Sequence, residues 1–285
     1  MRTRSNTLLL GILLSLAIGS MACEEAIVPP NRTDAVFTIY GLFNPKSDTQ
    51  AVRVYTVENL LDITKPEPID AVVTSVDLTT GETRVWADSL KKFIRGPYAH
   101  IFYSPFKAEF EHRYRLEVDR SDGAHVEVTT TVPPLSKPVV KEPDPDIFEL
   151  IALVLWQNAP NLIDIKVVYY SNAGTLEWDY GDGSERAPGG QLVRIRFRSD
   201  TRDIFFEAIR AGISPVRLNR VEISAVVTDV EWVPPDGRFD PEVLVEPGTF
   251  SNVEGGFGFV GAGYQTKIIW LPSNEVLDAA GFATQ

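Results

Sequence analysis

The chain has 285 residues, of which 44% are hydrophobic and 23% charged, a globular composition with enough length for one large or two ordinary cores. A formal net charge of −12 and a pI near 4.8 argue against nucleic acid as a partner, because phosphate binding needs a basic surface. A single cysteine excludes an internal disulfide, and with three histidines and no HExxH it gives a zinc site no support.

The N-terminus reads MRTRSNTLLLGILLSLAIGSMACEE. Arg2 and Arg4 form a short positive region, Leu8 to Ile18 is apolar apart from Gly11 and Ser15, and small residues lead to Cys23. This is the tripartite pattern of a secretory signal, and the run is short of the roughly 20 residues a spanning helix needs. The thiol of Cys23 is placed to take a diacylglyceryl group. Acyl chains such as palmitate then anchor a protein at about 0.8 kcal/mol per buried methylene. Residues 1–22 are therefore expected to be a lipoprotein signal peptide, Cys23 the lipidated residue, and 23–33 a polar tether. Ser20 stands where a lipobox usually has leucine. Ser20 and Ala22 also suit ordinary signal peptidase, which leaves a freely secreted protein as the alternative.

Residues 34–132 alternate with period two. Phe37 and Ile39 interleave with Val36, Thr38 and Tyr40. Val72, Thr74, Val76 and Leu78 share a face opposite Ser75, Asp77 and Thr79. Thr79–Glu82 makes a turn into Val85 and Trp86. Tyr114, Leu116 and Val118 run into Asp122-Gly123 and on to Val126, Val128, Thr130 and Val132. Strands at short spacing with Gly turns predict a sandwich of immunoglobulin or fibronectin-III type. Residues 133–146 (PPLSKPVVKEPDPD) hold five prolines and are read as a linker that can also pack as an extended connector.

Residues 147–285 predict a second β-rich domain with one short helix. Ile165, Val167 and Tyr169 make one strand face, and Leu176, Trp178 and Tyr180 another that ends at Asp182-Gly183. Val193, Ile195 and Phe197 alternate with Arg194, Arg196 and Arg198. Ile223, Ala225 and Val227 form a further strand, and Lys267 to Leu271 a late one. The helix is expected from a cap at Ser199 or Asp200 to Gly212, with Ile204, Phe205, Ala208 and Ile209 as its buried stripe.

Motifs with chemical meaning are few. Gly256-Phe257-Gly258-Phe259-Val260-Gly261 matches GxGxxG, but no helix pattern follows it, so a glycine-rich strand with close backbone approach is the better account. Trp178-Asp179-Tyr180-Gly181-Asp182-Gly183 resembles the signature of PKD domains over six residues, and a strand ending in an Asp-Gly turn explains it more simply. Arg194, Arg196, Arg198 and Arg202 can line a face for an anion, or simply form the solvated side of a strand. Glu142, Asp144, Asp146 and Glu149 lack calcium-loop spacing. His100, His112 and His125 are scattered, and no GxSxG is present. No catalytic, cofactor or metal residue is assigned.

In the C-terminal third, Ser251-Asn252-Val253-Glu254-Gly255-Gly256-Phe257-Gly258-Phe259-Val260-Gly261 resembles the closing motif of Bacteroidota lipoproteins catalogued as domain of unknown function 4249. Val36 to Pro45 resembles that family's opening strand, Tyr114–Val118 with Thr129–Pro134 its hairpin, and the helix near Asp203–Ile209 its aromatic-rich helix. Glu24 and Glu25 resemble the surface-export signals of such lipoproteins. The resemblance implies a non-enzymatic outer-membrane lipoprotein, lipid-anchored and surface-exposed, an accessory or binding module beside a TonB-dependent receptor. The alternative is a stand-alone adhesin or glycan binder using exposed tryptophans among Trp86, Trp178 and Trp232, with Trp232 expected to be the most exposed. A secreted hydrolase is a third reading and requires a pocket of convergent polar groups. Ligand, oligomeric state and leaflet are not legible.

Overall fold

The computed structural model describes residues 36–57, 68–92, 98–230, 232 and 251–284. The expected signal, Cys23 and the tether lie outside the described residues. The fold is mainly β. Sixteen strands and two helices occur among the described residues, arranged as three sheets.

The N-terminal strands are β1 (Phe37–Phe43), β2 (Gln50–Thr56), β3 (Val72–Asp77), β4 (Thr83–Val85), β5 (Ala87–Lys92), β6 (Tyr98–Ser104), β7 (Arg113–Asp119) and β8 (His125–Thr131). The C-terminal ones are β9 (Lys137–Lys141), β10 (Ile151–Gln157), β11 (Asn161–Ser171), β12 (Gly174–Gly181), β13 (Ser184–Ala187), β14 (Gly190–Arg196), β15 (Leu218–Thr228) and β16 (Phe257–Trp270). Helix α1 (Phe197–Ala211) follows β14, and α2 (Asn274–Ala280), which sequence reading does not anticipate, follows β16.

An eight-stranded sheet runs β12-β11-β15-β16-β1-β2-β6-β5, and two four-stranded sheets, β4-β3-β7-β8 and β13-β14-β10-β9, complete the set. Each smaller sheet encloses its own core. The first gathers Phe37, Phe43, Trp86, Phe102, Tyr114 and Leu116, with Phe43 stacked on Tyr114 at 5.1 Å. The second gathers Trp156, Tyr169, Ile195, Phe197, Tyr264 and Trp270. Burial of each large apolar side chain contributes roughly 1.5–3 kcal/mol, so both halves hold substantial cores.

One strand belongs to both. The first half of β16 pairs in parallel with β1, Thr38 opposite Phe257 and Leu42 opposite Gly261. Its second half pairs antiparallel with β15, Val227 opposite Tyr264 and Val221 opposite Trp270. The glycines of the GxGxxG match therefore lie inside a strand that continues to Trp270, so no helix N-terminus directly follows them to receive a pyrophosphate. Gly258 has φ +105°, and a Cβ there would sit 2.1 Å from the Ile39 carbonyl oxygen. A Cβ at Gly261 would sit 2.5 Å from the Trp232 ring. The preceding motif closes the strand start: the Asn252 side-chain amide donates to the Val260 carbonyl at 2.7 Å and accepts from its N–H at 3.1 Å.

The proline-rich segment expected to be a linker contains β9, which pairs with β10 from Lys141↔Leu153 to Lys137↔Gln157. It is tolerated as a strand because β9 is a sheet edge, where the missing N–H of Pro138 interrupts no central ladder. Its flanks are also tied down. The Tyr264 hydroxyl donates to the Pro134 carbonyl and accepts from Ser136 N–H, while Glu142 accepts from Trp270 Nε1 and Ser273 N–H.

Two local readings need correction. On β3 the buried face is Val73, Ser75 and Asp77, with Val72 and Leu78 exposed. Trp86 explains this, donating from Nε1 to Ser75 Oγ at 2.9 Å, and Asp77 is held by Thr79 N–H and His112. Helix α1 starts at Phe197, without a side-chain cap, and ends at Gly212 in the left-handed conformation as expected. Its buried stripe is Phe197, Asp200, Thr201, Ile204 and Ala208, and Ile209 is 76% exposed. Phe197 serves both the strand alternation and the first helical position, so the helical phase is set three residues earlier than the capping pattern implies.

Replacing Gly258 with alanine is expected to lower stability by roughly 3 kcal/mol or more, from backbone strain plus the clash with β1. Urea denaturation checks this; an unchanged midpoint would show that β1 and β16 do not approach so closely.

Candidate functional site

Strands β12 and β13 are joined by a tight turn at Asp182-Gly183 that carries the chain from an edge of the eight-stranded sheet to an edge of a smaller one. The segment that resembles a PKD signature is this strand and its turn. Between this β12–β13 connection, the outward face of β14 and the start of α1 lies an open cleft of about 600 Å³. That is within the usual range for small-molecule sites.

The walls follow from local periodicity. On β14, Val193 and Ile195 point into the core and Arg194 and Arg196 point outward into the cleft. Arg194 is fixed by Glu185 across the β13–β14 pair, with Nε and a terminal nitrogen both at 2.7 Å from the carboxylate. The Arg196 guanidinium and the Glu149 carboxylate have no ion pair or hydrogen bond among the described residues. On β12, Trp178 and Tyr180 face the cleft because that edge of the sheet is covered only by α1.

Asp200 organises this corner. It is buried, and its Oδ2 accepts from the Tyr169 hydroxyl at 2.8 Å and the Tyr180 hydroxyl at 2.5 Å. Its backbone carbonyl accepts from Trp178 Nε1 at 3.0 Å, and the Tyr180 oxygen in turn accepts from Arg196 N–H. Burial pushes the Asp200 carboxyl above the usual carboxylate value; the hydrogen bonds from Tyr180 and Tyr169 and the charge of Arg196 oppose that shift. Burial first, and Asp200 second, push both tyrosine hydroxyls above the ordinary phenol value. The result is a tryptophan held 36% exposed at a fixed angle beside two arginines.

The structure separates the residues that sequence reading groups together. Arg198 lies on α1, where its guanidinium donates to the Ala279 carbonyl and stacks 4.6 Å over the Phe148 ring. Arg202 sits exposed further along α1. Only Arg194 and Arg196 share the cleft. Trp232 is 7% exposed and packs edge-on against Phe259 at 5.1 Å, so its expected exposure is overturned. Trp86 is buried as well, which leaves Trp178 as the accessible one of the three.

His100, His112 and His125 are each bonded to an aspartate, Asp88, Asp77 and Asp119 respectively, and lie apart from the cleft. Among the described residues no group of three or more metal-ligating side chains occurs. Glu142 and Asp144 are engaged by nearby hydrogen bonds. The Tyr169–Asp200–Tyr180 network was not anticipated. Its only sequence trace is the alternation of Trp178 and Tyr180, because Asp200 reads as a helix cap until the helix start is known.

No family model and no curated protein sequence matches the chain. Among solved structures it is similar to a pullulanase from Anoxybacillus sp. LM18-11, at 11% identity over 75% of this chain and 29% of that one, with a TM-score of 0.25. So low a likeness carries no argument for fold or function.

Asp200→Ala is expected to destabilise the protein by roughly 1–3 kcal/mol for each tyrosine hydroxyl left without its acceptor, and Asp200→Asn by less. A carboxyl whose folded pKa is raised favours the folded state below its unfolded pKa and loses that contribution as pH rises through the folded value. Wild-type stability is therefore expected to fall relative to Asp200→Asn as pH is raised through this range. Chemical denaturation at several pH values measures both effects, and parallel curves would mean that Asp200 has no raised pKa.

Proposed function

We propose that this protein is a non-enzymatic lipoprotein of the outer membrane, anchored through Cys23, that acts as an accessory or binding module beside a TonB-dependent receptor. The observation that carries this reading is the position of the single cysteine, directly after a short apolar run and before Glu24-Glu25. The resemblance of the opening strand, the hairpin and the closing glycine motif to an envelope lipoprotein family supports it. Among the described residues no helix is long and apolar enough to cross a membrane, which is compatible with attachment by acyl chains.

The cleft supports recognition over chemistry. The Asp200 carboxylate is its most perturbed acid, yet its Oδ2 is taken up by two tyrosine hydroxyls and anchors the Trp178 corner. Arg194 is committed to Glu185. Such prearranged side chains lower the cost of ordering a bound ligand. The second reading, a stand-alone surface binder, draws on the same cleft and differs only in lacking a receptor partner.

Cys23→Ser is expected to move the protein from the membrane fraction to the soluble one and to abolish acyl labelling. Retention of the variant in the membrane fraction would sink the anchoring claim. A crosslinked pull-down from intact outer membranes is expected to recover one receptor in near-equal amount; recovery of no specific partner would leave the stand-alone binder.

A further inference from the structure

We infer that the cleft between the β12–β13 connection, β14 and the start of α1 is a saccharide-binding site for neutral sugars. This deepens the binding reading proposed above and rests on it. Three observations on different elements converge.

The first is the tryptophan. Trp178 lines the cleft with over a third of its surface open, and its Nε1–H is bonded to the Asp200 carbonyl at 3.0 Å. Its polar edge is satisfied inside the protein, so what it presents outward is apolar ring. A pyranose has a face of C–H groups that packs on such a ring, and the indole does not need to reorganise to receive it.

The second is the pairing of donors with acceptors. The Arg196 guanidinium provides a planar fork of donors without an ion pair, and Glu149 a carboxylate without a bonded partner among the described residues. Arg194 and Glu185 are already locked together beside them. Each sugar hydroxyl both donates and accepts, so a wall that offers both kinds of planar group suits it. Glu149, Asp179 and Glu185, with Asp200 behind them, would repel a strongly anionic ligand, and Arg194 and Arg196 would repel a cation. An uncharged polyol meets neither penalty.

The third is shape. The cleft is open and about 600 Å³ in volume, room enough for a small saccharide. Ile151, exposed on the neighbouring strand β10, adds apolar surface to the cleft.

The test uses the full chain purified in detergent, first on an array carrying neutral glucans, mannans, xylans and galactans together with uronate polymers. Neutral oligosaccharides that score are then titrated by calorimetry. The expected result is binding to at least one neutral class, weakened roughly tenfold or more by Trp178→Ala and by Arg196→Ala. Trp178→Phe, which keeps an aromatic face, is expected to retain part of the affinity. Near-UV circular dichroism and thermal melting of each variant separate lost binding from lost folding. If Trp178→Ala does not fold, Arg196→Ala and Trp178→Phe decide the matter.

No neutral glycan bound, binding to uronate polymers alone, or neutral binding untouched by folded Trp178 and Arg196 variants would each overturn the assignment. Membrane anchoring and receptor recovery are read in separate experiments. A receptor recovered without glycan binding would end this inference and leave the accessory reading standing.

Discussion

The fold depends on one strand being shared. Over its 14 residues β16 hydrogen-bonds first to β1 in parallel and then to β15 antiparallel, so two sandwiches are built on one continuous sheet. At about 3.3 Å per residue such a strand spans some 45 Å, enough to serve both cores in turn. The parallel half is tight, and only glycine fits opposite Ile39 at Gly258. The glycines at the start of β16 thus answer a packing demand, and a motif that looks like a nucleotide loop is the seam of the molecule.

That seam is reinforced by groups that span the sheets. Asp229, just after β15, accepts from Thr130 on β8 and from the Ala262 N–H on β16, joining elements from both halves at a buried carboxylate. Tyr264 bonds to Pro134 and Ser136 and meets Phe110 edge-on at 5.3 Å. Phe110 packs against both cores. Removing one partner of a buried polar pair costs more than the pair itself contributes, which makes such contacts effective at specifying a single arrangement. The proline-rich segment is accordingly part of the folded body.

With the second sandwich held this way, the cleft is a consequence of how the sheets end. Strand β12 is an edge, α1 covers only part of it, and the turn into β13 carries the chain to the other sheet. Asp200 then gathers two tyrosines and the Trp178 indole into a fixed corner. A buried carboxyl whose Oδ2 takes both tyrosine hydroxyls positions its neighbours, and Trp178, Arg196 and Glu149 are groups left to meet a ligand. The proposed binding by a rigid aromatic face flanked by polar forks draws on that division of labour.

Much of this was legible in the residues alone. Period-two patterning located the core faces of β7, β8, β10's partner β14, β11 and β15, since burial on one side of a sheet imposes alternation on any sequence that satisfies it. The helix end at Gly212 was legible because a left-handed cap suits glycine. The single cysteine after an apolar run, and the absence of recognisable catalytic spacing, were likewise properties of the linear chain. What the chain could not express was anything that depends on distant partners. Ser75 and Asp77 read as a polar face until Trp86 and His112 are placed against them. Trp232 reads as exposed until Phe259 and the bare backbone of Gly261 receive it. Asp200 reads as a helix cap until Tyr169, 31 positions away, turns it into the anchor of a cleft. Local patterns report which side of an element is wetted, whereas the identity of the group across the gap is settled only when sheets close on one another. Tertiary structure alone therefore decided which tryptophan and which arginines share a site.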